Sequence, residues 1–112
     1  MHLPVRRVVV GGPSMVPTLR PGDILLVRWR PGRIRPDVGD VVVVTLPDGR
    51  PLGVKRVVSG TTDGVQVRGD NPAASTDSRT LGVLPMAAVQ GRVICRLWPR
   101  PGPLARFADL PR

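Results

Sequence analysis

The sequence predicts a mostly β fold in a single domain. Valine-rich runs of strand length recur along 112 residues and favour pleated, half-buried backbone. Strong helix formers are scarce, with no glutamate and a single lysine. Thirteen glycines and fourteen prolines divide the chain into short segments.

The elements follow in order. Residues 5–10 read as a strand leading into a loop, Gly11 to Asp23. Residues 24–30 read as the next strand, and Arg28, Arg30, Arg33 and Arg35 flank a Pro-Gly turn, here read as a solvated arginine loop. Asp40 to Thr45 holds four consecutive valines, apolar on both faces and so central. Pro47-Asp48-Gly49 is a turn signal, which makes 40–58 a hairpin with a second strand at 52–58. Residues 65–68 read as a further strand, 85–89 as one helical turn and 90–98 as the last strand. Residues 99–112 carry four prolines and are expected to lie loosely on the surface, leaving 1–98 as the folded domain.

Composition narrows the function classes. The net charge of +9 suits an anionic partner. Aromatic residues are only 3%, against the interleaving of aromatics and charge usual in nucleic-acid modules, so no nucleic acid is expected. One histidine and one cysteine supply no metal set, and no cofactor is expected. The single Cys95 fits a reducing compartment, and the location read from it is cytoplasmic, with a peripheral place at the cytoplasmic membrane as the alternative. No run approaches the roughly 20 apolar residues of a membrane span.

Two positions stand out chemically. Ser14 lies between Pro13 and Pro17. Proline fixes φ and pushes the residue before it to extended geometry, so this serine sits in a stiff loop. Lys55 is the only lysine beside sixteen arginines. Arginine cannot lose its proton inside a protein, whereas a buried lysine can and then acts as a base. Lys55 lies in the apolar run Leu52-Gly53-Val54-Lys55-Arg56-Val57-Val58, where burial would disfavour its ammonium form. Strand alternation puts 53, 55 and 57 on one face and 52, 54, 56 and 58 on the other. His2 is at the terminus, so a histidine-dependent triad is not expected.

Ser14-Met15-Val16-Pro17-Thr18-Leu19 with Pro21-Gly22-Asp23, then Lys55-Arg56-Val57-Val58, then Gly69-Asp70-Asn71 with Ser75 and Asp77-Ser78-Arg79, resemble in this order the three boxes of the type I signal peptidases, serine/lysine proteases of family S26. The resemblance implies a compact β-barrel-like domain of antiparallel strands, with 1–98 as the catalytic domain. It implies Ser14 as nucleophile, Lys55 as general base, Ser75 as the hydroxyl that orients Lys55, and Asp77 and Arg79 as a structural ion pair. Asp70 supports the third box. Gly12 and Met15 are expected beside the substrate. Some members carry a serine at the position of Gly12 that helps stabilise the oxyanion; here the backbone N–H of Ser14 is the first donor. The span-free length and the run Gly69 to Ser75 are similar to the small proteases that mature nickel-type superoxide dismutase. The implied reaction is removal of an N-terminal leader from a precursor bound as an extended strand. The alternatives are a signal peptidase acting at a membrane, a self-cleaving regulator of the SOS-repressor type, for which no helix-turn-helix pattern is present, and a non-catalytic basic β module binding nucleic acid or anionic lipid.

Overall fold

The computed structural model describes residues 4–46, 52–74 and 82–104. Seven strands make up one antiparallel sheet: β1 Val5–Val9, β2 Ile24–Trp29, β3 Val41–Val44, β4 Gly53–Gly60, β5 Gly64–Arg68, β6 Leu84–Pro85 and β7 Val89–Trp98. The spatial order is β1-β2-β7-β3-β4-β5-β6. The last strand in the sequence therefore lies near the middle of the sheet. Register shifts interrupt β2–β7, β3–β7 and β4–β5. Such bulges add local bend and twist, and the sheet curls into a half-barrel. The mostly β, antiparallel, barrel-like class read from the sequence is what forms.

The valines explain why both faces are covered. In β3, Val41 and Val43 join one core cluster while Val42 and Val44 join another. The first cluster packs Met15, Leu19, Leu25, Val27, Val54 and Val93 on one face. The second packs Ile34, Val57, Val65, Val67, Leu84 and Val89 on the other. Each fully buried valine contributes on the order of 1.5–3 kcal/mol over an exposed one. β3 is central, as its apolar run predicts, flanked by β7 and β4. The expected helical turn is one 3₁₀ turn at Met86–Ala88.

One expectation fails. Within the tail expected to lie loosely, residues 99–104 do not, while 105–112 lie outside the described residues. Arg96 and Gly102 exchange backbone hydrogen bonds of 2.9 and 3.0 Å, the Arg96 Nε–H donates to the Arg100 carbonyl at 2.9 Å, and Leu104 packs on the first core cluster. Proline excludes regular ladder pairing but leaves a fold-back stapled by neighbouring residues open.

Where β7 crosses β2, side chains leave no room. A Cβ on Gly91 would sit 2.5 Å from Val27 Cγ1 and 2.6 Å from the Arg28 carbonyl oxygen. Gly91→Ala is therefore expected to lower stability by about 1–3 kcal/mol, the usual penalty for overpacking. Gly60→Ala, whose Cβ would meet nothing within 4 Å, should change it by less than about 0.5 kcal/mol. Urea melts of the two variants check this, and equal midpoints would refute it.

Candidate functional site

The serine loop is closed at its base and plugged at its centre. The Val10 N–H donates to the Asp23 carbonyl at 2.9 Å, and the Gly22 N–H to the Val10 carbonyl at 2.8 Å. Within the loop the Leu19 N–H reaches the Met15 carbonyl at 2.9 Å. This single turn puts Met15 and Leu19, both fully buried, into the first core cluster. Ser14, just before the plug, stays half-buried. The prolines stiffen the loop, but the two apolar anchors fix its depth. Met15, expected beside the substrate, has no accessible surface; what it visibly does is anchor the loop. Gly12 is half-buried, and a Cβ there would meet nothing within 4 Å, so the space beside it is open.

Lys55 is 4% exposed. It pairs with Val42 across the β3–β4 ladder, and direct cross-strand partners share a face, here the face of the second core cluster. Arg56 points to the opposite face and is also buried, at 1%. Its guanidinium forks onto Asp70, with Nε donating to Oδ1 at 3.0 Å and Nη2 to Oδ2 at 2.8 Å. Its Nη1 donates to the Gly39 carbonyl at 2.8 Å. Both side chains of the pair are almost wholly buried. The Thr18 hydroxyl donates to Asp70 Oδ2 at 2.5 Å.

The segment 69–71 thus joins the two parts of the predicted site. The β4–β5 ladder ends at Arg56–Arg68, so the chain leaves β5 beside the lysine strand. Two residues past Gly69, the Asn71 N–H donates to the Ser14 carbonyl at 2.8 Å and its side-chain amide to the Pro13 carbonyl at 3.2 Å. Asp and Asn side chains often close their own turns by bonding nearby backbone. Instead the side chains of Asp70 and Asn71 both reach to the serine loop, and Asp70 also reaches Arg56. Arg96 braces the loop from β7, with Nη1 donating to the Thr18 carbonyl at 3.0 Å and lying 3.4 Å from Asp23 Oδ2.

Sequence reasoning missed Arg56, Thr18, Asn71 and Arg96. A signal existed for Arg56: it lies in the same apolar run as Lys55, and a buried guanidinium needs a carboxylate. Thr18 and Asn71 stand in the first and third boxes with no role assigned to them, and nothing local marks Arg96. Ser75, Asp77 and Arg79 lie outside the described residues. Arg28 belongs to β2, not to the arginine loop. No cluster of His, Cys, Asp or Glu able to hold a metal occurs among the described residues, and no described helix is long and apolar enough to cross a membrane.

Residues 2–71 match the family described as signal peptidase, peptidase S26. The mitochondrial inner membrane protease subunit 1 of Schizosaccharomyces pombe is 35% identical, over 83% of this chain and 73% of its own. The mitochondrial ATP-independent inner membrane protease subunit 1b of Arabidopsis thaliana is 34% identical, over 79% and 67%. The human mitochondrial inner membrane protease subunit 1 is 31% identical, over 82% and 69%. These relatives overturn the cytoplasmic location expected above, because their names place them at an inner membrane; a lone cysteine reports a redox environment and carries no address. A matched family over more than half of the chain, together with protease relatives along about four fifths of it, identifies the chain as a member of the peptidase S26 family, a serine endopeptidase of the signal peptidase type.

Proposed function

We propose that this chain removes leader or signal peptides from precursor proteins at a membrane surface, with Ser14 as nucleophile and Lys55 as general base. The observation that carries the reading is the clasp at 69–71. It ties the serine loop, through Asn71 and Asp70, to the strand that holds the buried lysine. Neutral Lys55 takes the Ser14 proton as Oγ attacks the scissile carbonyl, an ester forms, and water releases it. The Ser14 backbone N–H is the first oxyanion donor, and such donors are worth about 2.7–4 kcal/mol each. Ser75 orients the Lys55 amine. β1 ends the sheet and runs directly into the serine loop. An extended peptide added to that edge carries its backbone toward Ser14.

The inner-membrane names of the relatives favour signal-peptide cleavage at a membrane over the narrower reading of nickel superoxide dismutase maturation. The same names call those proteins subunits, which makes a partner chain part of the proposal.

Ser14→Ala and Lys55→Arg should each abolish cleavage of a signal-peptide-bearing precursor in detergent while leaving the melting curve unchanged for Ser14→Ala. Arginine keeps its proton, so clear turnover by Lys55→Arg would overturn the dyad. Ser75→Ala should slow cleavage by about 10- to 1000-fold, the range for lost orienting and oxyanion groups; wild-type rates would remove Ser75 from the site.

Arg56 and Asp70 act as positioning residues. Removing one partner of a buried pair costs about 3–5 kcal/mol, and replacing both with apolar residues costs less. Arg56→Met should therefore unfold at lower urea than the Arg56→Met/Asp70→Leu double variant. At temperatures where the double variant is folded, kcat should drop more than KM rises, because the loop clasp is loosened. A double variant less stable than both singles, or one with wild-type kcat, would refute the assignment.

A further inference from the structure

The arginines at 33 and 35 have no part in the site above. They flank Ile34, which is buried in the second core cluster, so the backbone between them is pinned while both guanidiniums stay exposed. The Gly32 N–H donates to the Val89 carbonyl at 3.0 Å, and its φ of 72° is the left-handed conformation glycine adopts freely. This folds the loop back over the 3₁₀ turn. Gly32 to Arg35 then meet Thr61, Thr62 and Met86 around a cavity of about 540 Å³.

Its lining holds two cations and no carboxylate. Neither guanidinium makes a hydrogen bond or ion pair among the described residues. Arg56, Arg92 and Arg96 each face an aspartate; other exposed arginines such as Arg68 and Arg100 also have free guanidiniums among the described residues, and what sets Arg33 and Arg35 apart is that both line one cavity. The Thr61 hydroxyl is engaged by the turn itself, accepting from the Asp63 and Gly64 N–H groups at 3.1 Å; Thr62 adds a further hydroxyl. Ile34 and Met86 supply apolar wall. Two planar forks on the lining of one hollow suit the oxygens of a phosphate, and the apolar wall suits a short organic stem.

We propose that this cavity binds the phosphate of a small ester, either an anionic phospholipid headgroup or a soluble phosphate ester. It is separate from the catalytic centre. Thr61 lies six residues along the chain from Lys55, about 20 Å in strand geometry. The proposal does not depend on the peptidase reading.

Glycerol phosphate, titrated into the whole protein and followed by amide NMR shifts, should perturb residues 32–35 and 61–62. The Arg33→Ser/Arg35→Ser variant should bind about tenfold or more weakly, as loss of charge-assisted hydrogen bonds implies, and keep its peptidase rate on a soluble peptide. Arg68→Ser/Arg100→Ser removes the same charge from exposed positions elsewhere and should bind as the wild type does. Sedimentation with phosphatidylcholine vesicles, with and without phosphatidylglycerol, distinguishes the sources. Vesicle binding lost with the 33/35 pair supports a lipid headgroup, and vesicle binding unaffected by it supports a soluble ester. Equal weakening in both double variants would reduce the effect to bulk charge and overturn the site. So would glycerol phosphate that shifts none of the cavity amides, including the case in which only an acidic peptide binds there.

Discussion

Arg56 and Asp70 hold the site together. Each ion would lose several kcal/mol of hydration in the interior, and the two are kept there by a two-pronged contact plus bonds to the Gly39 carbonyl and the Thr18 hydroxyl. Few lone pairs or N–H groups are left over, which is the condition for a buried pair to be tolerated. The contact joins three segments that are far apart in sequence: the serine loop, the lysine strand and the loop after β5. Lys55 and Arg56, adjacent in the chain, divide the work by strand alternation. Arg56 serves one face as a brace, and Lys55 is delivered to the other face.

Four of the arginines have a visible structural use. Among the described residues, Arg56, Arg92 and Arg96 sit beside aspartates, and Arg6 lies over the Trp29 ring, 4.5 Å from its centroid. Arginine keeps its charge in such settings and spreads it over a planar group that stacks or forks. The lone lysine occupies the one buried cationic position where the proposed chemistry needs a proton to leave. The arginines at 33 and 35 fit neither use, and what distinguishes them from other unpaired arginines is the single hollow that both line.

β1 has a second consequence for the sheet. It is an edge strand with little cover; Val5 is 48% and Val9 61% exposed. An exposed apolar edge is a liability unless another chain uses it. Under the proposed addition of the substrate as a strand, the liability and the binding surface are the same feature.

Much of this protein could be read from local sequence. The valine runs announce strands, and Val41 to Val44, apolar at every position, announces a strand covered on both sides. Ser14 and Lys55 stood out because a proline-framed serine and a lone lysine in an apolar run are unusual within a few residues of chain. Tertiary structure alone decided the rest. Nothing local tells β7 to insert between β2 and β3, since strand choice depends on which distant edge leaves both faces covered. Nothing local couples Asp70 to an arginine 14 residues back and a threonine 52 residues back, or Asn71 to the serine loop. Nor does the proline content of 99–104 reveal that Leu104 docks on the core. Short-range pattern records what each segment prefers. Which segments meet is settled by burial and by the need to satisfy polar groups across the whole chain, and those terms exist only once the chain has folded.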